Sequence, residues 1–282
     1  AAIVTNVEHD HVDFFATLAD VAQAFKDFAA TINKDGFLTY CADDEGARAL
    51  ASTVKTCALI SYGVDESCDL RLDSIELEAM GSRARAIWRG KVVGFIELQV
   101  PGHHNLLNAA AVLATGLNLG FPAPELLTGL AVFRGTGRRF ELIGTVHGIR
   151  VIDDYGHHPT EIDVTLKAAR RFAGDGRLIV IFQPHRYSRT KAFSAQFAKA
   201  LDVADRAIVL EVYAASEKPI AGVTSRLITG AMNQGEYIPN FIEVTDSVID
   251  TAQPQDVIIT LGAGDVSSLA PIIVDGLSRR FG

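Results

Sequence analysis

The sequence predicts an α/β protein of two domains, each built around its own sheet. The chain has 282 residues, of which 48% are hydrophobic and 21% are charged, as in a globular protein long enough for two cores. Beyond residue 149, short apolar runs alternate with amphipathic stretches, which is typical of a parallel sheet covered on both faces. Residues 69–100 instead show alternation interrupted by glycines, which indicates an antiparallel meander.

The first domain is predicted to span residues 1–134. Apolar runs and helical periodicity give the order of its elements. Strands are expected at 1–6, 37–40 and 57–62, and helices at 16–33, 45–52, 103–118 and 123–132. Pro122 and Pro124 mark the start of the last helix, because proline is tolerated in a helix's first turn.

The second domain is predicted to span residues 135–282. The segment RGTGRR at Arg134–Arg139 is rich in glycine and charge and lacks apolar periodicity, which predicts a linker. Strands are expected at 150–154, 178–183, 207–212 and 257–261, and helices at 161–172, 192–204, 224–233 and 266–280. We therefore expect a second sheet of parallel strands after the linker.

The composition excludes several classes of protein. A net charge of −8 disfavours a nucleic-acid partner, since phosphates are neutralised by an excess of Lys and Arg. No apolar run approaches the ~20 residues of a membrane helix, and the first residues do not resemble a signal peptide. Cys41, Cys57 and Cys68 are odd in number and lack metal-ligand spacing, which favours reduced thiols in a cytoplasmic protein.

The histidines mark the candidate sites. Seven of the eight fall in four short clusters, each after a predicted strand or at the start of a helix, where α/β proteins bind ligands. The clusters contain His9 and His11, His103 and His104, His157 and His158, and His185.

Two clusters lie in the first domain. The segment TNVEHDHVD, residues 5–13, combines oxygen ligands with imidazole, which suits Mg²⁺ held together with nucleotide phosphates. A plain polar loop and, less well, a zinc site are alternatives. In PGHHNLLNAA, residues 101–110, the amide of an asparagine could pair with an adenine edge, although an ordinary capped helix start has the same pattern.

Three segments of the second domain carry further candidates. In the RRF segment that ends at Phe140, two guanidinium groups suit bidentate contact with a phosphate, or are simply solvated. DDYGHHPTE, residues 153–161, combines carboxylates, an aromatic ring and imidazoles beyond what folding needs, which favours function. QPHRYSRT, residues 183–190, predicts an anion site at a strand end. GAGD at 262–265 is a weak phosphate-loop signal, and no Walker A loop is present.

In this order the segments resemble the Mur ligase family, and most closely the member that joins L-alanine to UDP-N-acetylmuramate. The resemblance runs from residue 3 to about 270, and LEVYAASEKPIAG and GAGDV complete the pattern. It implies the rear part of a central ATPase domain followed by a Rossmann-like C-terminal ligase domain. Family members begin with a UDP-binding domain and a GTHGKT-type P-loop. Because this sequence opens directly on the apolar run AAIV, we expect a fragment that lacks both.

The resemblance also implies roles for individual residues. His11 would bind Mg²⁺, Asn105 and His104 the adenine of ATP, Asp154 the ATP ribose, and Arg139 the transferred phosphate. Tyr155 and His157 would lie near the incoming amino acid. His185, Arg186 and Arg189 would surround the muramoyl lactyl group and the L-alanine carboxylate.

The implied activity belongs to peptidoglycan precursor synthesis. ATP would convert the lactyl carboxylate of UDP-N-acetylmuramate to an acyl phosphate, which the amine of L-alanine would attack. His157, if neutral, could accept a proton from the alanine ammonium. The alternatives are a murein tripeptide ligase of cell-wall recycling, a metal-dependent phosphohydrolase, and a remnant that only binds its ligands.

Overall fold

The computed structural model describes residues 1–282 and divides into two compact units, Ala1–Arg134 and Gly135–Gly282. Each unit contains one six-stranded sheet. None of the helices is long and apolar enough to cross a membrane.

The first unit carries a sheet of order β1-β2-β3-β4-β5-β6, which is parallel from β1 to β4 and antiparallel from β4 to β6. The antiparallel part is the predicted meander. The strands are β1 (Ala2–Val4), β2 (Phe37–Cys41), β3 (Ala58–Gly63), β4 (Leu70–Leu77), β5 (Ser82–Trp88) and β6 (Lys91–Leu98). The helices are α1 (Leu18–Ala30), α2 (Glu45–Thr53), α3 (His103–Asn118) and α4 (Ala123–Ala131).

Capping residues fix where the first helices begin. Thr17 and Asp20 form a reciprocal capping box at the start of α1. Asp44 caps α2 through a bond of 2.7 Å from the Ala47 N–H, and the same carboxylate oxygen accepts the Val7 N–H at 3.1 Å. The cap of α2 therefore also anchors the loop that follows β1.

The second unit carries a sheet of order β11-β10-β9-β12-β8-β7. Its strands are β7 (Glu141–Val146), β8 (Ile149–Asp154), β9 (Leu178–Phe182), β10 (Arg206–Val209), β11 (Gly235–Tyr237) and β12 (Val257–Leu261). Its helices are α5 (Pro159–Ala173), α6 (Tyr187–Leu201), α7 (Arg226–Thr229), α8 (Phe241–Thr251) and α9 (Leu269–Phe281), the last preceded by a 3₁₀ turn at Asp265–Ser268.

Two hydrophobic cores lie on opposite faces of this sheet. Along β9, Leu178, Val180 and Phe182 belong to one core, and Ile179 and Ile181 to the other. Because side chains alternate between the faces of a strand, a strand buried on both faces is apolar throughout. This is why β9 appears in the sequence as an unbroken apolar run, and β12 as an apolar run interrupted only by the buried Thr260.

Several predicted elements of the second unit are wrong in extent. The strand predicted at 207–212 ends at Val209, because the chain then leaves β11 to follow the segment after β9, where Tyr213 donates to the Pro184 carbonyl at 2.8 Å. The helix predicted at 224–233 is a single turn, and α6 begins at Tyr187 rather than at 192. Three elements were not predicted, namely β7, β11 and α8.

Candidate active site of the second unit

The segments with the most candidate residues meet at one edge of the second sheet. β12 lies between β8 and β9, and all three strands are parallel, so their carboxyl ends share an edge. DDYGHHPTE leaves β8, QPHRYSRT leaves β9 and GAGD leaves β12. The rings of His157 and His185, which belong to different segments, lie with their centroids 5.8 Å apart. The structure therefore brings these predicted residues together.

His157 is held by its own turn. Its Nδ1 lies 3.0 Å from the Tyr155 carbonyl oxygen, which can only accept, so Nδ1 is the donor in that contact. In the neutral ring, Nε2 is then the acceptor nitrogen. Glu161 accepts the backbone N–H of His157 at 3.0 Å and lies 3.4 Å from Nδ1.

Glu161 links this turn to the start of α5. It accepts the N–H of His158 at 3.2 Å in a capping box and pairs with Arg139 at 3.2 Å. Burial acts to raise the pKa of Glu161, but the His157 N–H and the positive charges of His157 and Arg139 outweigh it and lower that pKa. Glu161 is therefore a carboxylate that fixes the position of His157.

His185 lies between aromatic rings and positive charges. Its ring stacks on Tyr213 at a centroid distance of 5.5 Å and an interplanar angle of 14°. Burial, together with the charges of His157, Arg189 and Arg186, lowers the pKa of His185 to about 4, although Glu217 acts in the opposite direction. The ring of His185 is therefore neutral at physiological pH and can offer hydrogen bonds without adding a positive charge.

Arg186 and Arg189 lie at the start of α6, beside His185. Arg186 adopts a left-handed backbone conformation, with φ of 73°, and precedes the helix as its N-cap residue. The Arg189 side chain is buried, and its Nη1 lies 3.3 Å from His185 Nδ1. Two guanidinium groups are thus fixed next to one neutral imidazole, which is an arrangement suited to carboxylates.

Arg138 and Arg139 have different partners. Arg138 donates to the buried Asp153 at 3.0 Å and to the Gly262 carbonyl at 2.7 Å. Arg139 is more exposed and pairs only with Glu161 among the carboxylates. Their guanidinium carbons lie 5.0 and 5.5 Å from the centroid of the Tyr155 ring. Arg139 is therefore the more exposed and less constrained of the two arginines.

Asp154 is 3% exposed and is bonded within its own unit. It accepts the N–H groups of Phe140 and Gly156, both at 2.8 Å, and the Thr165 hydroxyl at 3.3 Å. Burial raises the pKa of Asp154, while these hydrogen bonds act against that shift. The predicted ribose contact is not tested by this arrangement, in which Asp154 attaches the segment before β7 to the end of β8.

The GAGD segment packs directly on the residue that follows β9. The buried Gln183 donates to Asp265 at 2.6 Å and accepts the Val266 N–H at 3.1 Å. A Cβ on Gly264 would lie 2.3 Å from the Gln183 side-chain oxygen and 2.8 Å from the Tyr213 ring. Glycine is required there by this close approach.

The candidates of the first unit lie on two other segments. The His11 side chain is 63% exposed, has a left-handed backbone with φ of 50°, and lies 3.9 Å from Asp10. The ring of His104 lies over Gly102, where a Cβ would be 2.7 Å from a ring carbon. The Asn105 amide donates to the Pro101 carbonyl at 2.7 Å, so it closes the turn that starts α3.

No group of three or more His, Cys, Asp or Glu side chains in this chain is arranged to hold a metal ion. His11 offers one imidazole ligand, which is fewer than a protein-built site provides. The residues present do not by themselves fit a complete Mg²⁺ site.

Sequence reasoning assigned no function to three residues that shape this site. Glu161 belongs to the DDYGHHPTE motif, and Tyr213 and Glu217 belong to the segment LEVYAASEKPIAG, but the sequence gives none of them a role of its own. A carboxylate three residues into a helix is a recognisable capping signal, so Glu161 could have been found from sequence. Tyr213 and Glu217 contact the site from a distant segment, and no local pattern marks them.

Comparison with known proteins identifies the family. Residues 1–116 match the family model of the Mur ligase middle domain, and residues 138–264 match that of the Mur ligase, glutamate ligase domain. These matches lie one in each unit. The chain belongs to the Mur ligase family.

Two curated relatives carry the name UDP-N-acetylmuramate–L-alanine ligase. That of Acidothermus cellulolyticus is 45% identical over 288 residues, covering 100% of this chain and 60% of the relative. That of Paenarthrobacter aurescens is 46% identical, covering 98% of this chain and 60% of the relative. The chain thus spans about 60% of the length of these relatives.

Solved structures agree on the fold. The UDP-N-acetylmuramate–alanine ligase of Thermotoga maritima is 27% identical with a TM-score of 0.78, covering 99% of this chain and 59% of that one. A murein peptide ligase of Psychrobacter arcticus is 20% identical with a TM-score of 0.70, and the match covers 98% of this chain and 57% of that one. The MurF ligase of T. maritima in complex with ADP is 17% identical with a TM-score of 0.80, and the match covers 99% of this chain and 62% of that one. At such low identity, the last two show the fold alone.

Proposed function

We propose that this chain carries the amino-acid-binding part of an ATP-dependent ligase that joins L-alanine to the lactyl carboxylate of UDP-N-acetylmuramate. The observation that carries the proposal is the convergence of His157, His185, Arg186 and Arg189 at one sheet edge. The names of the curated relatives support the choice of substrate.

The arrangement suits the demands of amide formation from an acyl phosphate. Arg186 and Arg189 would bind a carboxylate while the neutral His185 donates or accepts a hydrogen bond beside them. His157 has Nδ1 occupied by the Tyr155 carbonyl, so in the neutral ring Nε2 would take the proton that the alanine ammonium loses before attack. Arg139 would offset charge on the transferred phosphate.

ATP would supply the activation of the carboxylate. His104 and Asn105 in the first unit, and Asp154 and Arg139 in the second, are the residues of this chain proposed to hold it. Mg²⁺ would accompany the nucleotide, with His11 as one ligand and the nucleotide phosphates among the others. We propose these cofactor contacts on the motif resemblance, since the chain alone forms no complete metal site.

The proposal is tested by titrating the isotope-labelled chain with L-alanine and with L-alaninamide, which lacks the carboxylate. NMR shift changes are expected at Tyr155, His157, His185, Arg186 and Arg189 with L-alanine and not with the amide. Binding that does not depend on the carboxylate, or that maps elsewhere, would contradict the proposal.

The same sample separates the rival functions. Tighter binding of a murein tripeptide than of L-alanine would favour the recycling ligase, although the two curated relatives are named for L-alanine. Phosphate release from ATP with Mg²⁺ and without L-alanine would favour a phosphohydrolase. Mass spectrometry with ATP, UDP-N-acetylmuramate and L-alanine then reports whether the amide product forms.

A further inference from the structure

The segment 213–217 contacts the candidate site from the far side of QPHRYSRT. Tyr213 forms an isolated parallel bridge with His185, donates its N–H to the Pro184 carbonyl at 2.8 Å and accepts the Arg186 N–H at 2.8 Å. Its ring also stacks on that of His185. The backbone of the site segment and the plane of the His185 ring are therefore both set by Tyr213.

Glu217 caps α6 from this segment. Its carboxylate accepts the Ser188 N–H at 3.0 Å and the Ser188 hydroxyl at 2.6 Å. One of its oxygens lies 3.9 Å from Arg186 Nη1, and the side chain is only 18% exposed. The N-cap residue of α6 supplies no side-chain cap of its own. A carboxylate at this position is favourable, because it satisfies an N–H of the first turn and complements the helix dipole.

The backbone before Glu217 is unusual. Ala215 and Ser216 have left-handed conformations, with φ of 46° and 72°, although neither is glycine. Such conformations cost free energy and persist where the surrounding structure requires them. The left-handed conformations of Ala215 and Ser216 turn the chain so that Glu217 reaches the N-terminus of α6.

We propose that Glu217 is a positioning residue for the guanidinium groups of Arg186 and Arg189. Arg186 immediately precedes the turn that Glu217 caps and Arg189 lies within it, so the cap sets where both charges point. The inference rests on the proposed binding of an amino-acid carboxylate. It adds a restriction to that function. Since the Ser188 N–H is already taken by Glu217, a substrate carboxylate is bound by the guanidinium groups and not by this N–H of the helix end.

The first test does not depend on substrate. In the full chain, ¹⁵N relaxation of the Arg186 Nε–Hε group reports how firmly the side chain is held. Glu217→Ala is expected to increase its mobility, whereas Glu217→Gln, which keeps an oxygen acceptor for Ser188, largely preserves the wild-type order. If Glu217→Ala does not fold, Glu217→Asp replaces it, because the shorter carboxylate cannot reach the same partners.

The second test measures the affinity for L-alanine by NMR titration. Glu217→Ala is expected to weaken binding roughly tenfold, because the guanidinium groups would no longer be held in place before L-alanine binds, and Glu217→Gln less than about threefold. The control is Glu243→Ala, which removes an exposed acidic residue from the first turn of α8 and should leave both readouts unchanged.

The outcomes are distinguishable. A lower melting temperature for Glu217→Ala with unchanged Arg186 mobility and unchanged affinity would mean that Glu217 is only a structural cap, which overturns the proposal. Absence of L-alanine binding by the wild type would count against the proposed function, while the relaxation of Arg186 would still decide the role of Glu217.

Discussion

Arg138 and Arg139 are adjacent in the sequence, yet their side chains have different roles. Arg138 holds the carboxylate of Asp153, whose side chain is 4% exposed, whereas the Arg139 side chain is 48% exposed and its partner Glu161 is 31% exposed. A buried carboxylate that loses its cation is strongly destabilising, whereas a surface ion pair contributes little. The sequence motif alone does not separate the two arginines.

Arg138→Ala is expected to lower the free energy of unfolding by about 2–4 kcal/mol, because the buried Asp153 carboxylate would lose its cation and keep the Thr260 hydroxyl as its side-chain partner. Arg139→Ala, the matched control, should change it by less than about 1 kcal/mol. Urea denaturation of both variants measures the difference. Equal losses would show that the Arg138–Asp153 pair does not stabilise the fold.

His185 predicts a pH dependence of stability. Its pKa is about 4 in the folded protein against an ordinary 6.5, mainly because the ring is buried. Between those values the unfolded chain binds more protons, so stability is lost as the pH falls from about 6.5 toward 4 and the loss levels off below that. Allowing for solvent screening, the loss is about 1–2 kcal/mol.

The His185→Gln variant checks this dependence. Urea denaturation at several pH values between 7 and 4.5 should give a shallower decline for the variant than for the wild type. Parallel curves would mean that protonation of His185 is not the source of the acid sensitivity.

At the scale of single elements, the first turn of α2 packs against the loop that carries His11. A Cβ on Gly46 would lie 2.3 Å from the Val7 carbonyl oxygen, and this contact is to backbone, which cannot rotate away. The helix and the loop are therefore in contact through a residue without a side chain.

Gly46→Ala is expected to destabilise the chain by about 1–3 kcal/mol, because the loop must shift to make room. Gly129→Ala in α4, where a Cβ meets nothing within 4 Å, should instead stabilise it by about 0.5–1 kcal/mol. Thermal unfolding distinguishes these opposite signs, and a stabilised Gly46→Ala variant would disprove the close contact.

Much of the element pattern could be predicted from the sequence, for identifiable reasons. β9 and β12 are buried on both faces and appear as apolar runs, and α3 has the predicted bounds. β7 escaped prediction because an exposed antiparallel edge strand lacks such a run. Residues 210–212 look like a strand, but they follow the site segment instead of the sheet ladder.

The candidate site was predictable to a similar degree. The sequence predicts that His157 and His185 each follow a strand, where α/β proteins bind ligands, and in the structure their rings lie 5.8 Å apart. The burial of Asp154 and the cap from Glu217 were not predictable, because both depend on contacts between residues distant in sequence. The roles proposed for His11, His104 and Asn105 remain predictions.

At the scale of the whole molecule, each unit has its own hydrophobic cores. The clusters of the first unit and those of the second share no residue. A unit of this size whose hydrophobic cores contain only its own residues is expected to fold as a domain.

We therefore expect residues 135–282 to fold alone. Expressed without the first unit, they should unfold cooperatively in urea and give an NMR spectrum in which the signals of His157 and His185 match those of the full chain. A molten or aggregated product would show that the second unit requires the first.

The position of β12 has a consequence for synthesis. This strand lies near the carboxyl terminus of the chain but between β8 and β9 in the sheet, so it separates and aligns the two segments that carry His157 and His185. A nascent chain on the ribosome therefore cannot assemble the site until β12 has been translated, even though every proposed contact residue precedes that strand in the sequence. A nonsense mutation just before Val257 would remove none of those residues and still abolish the site, because the two halves would have no strand to join them.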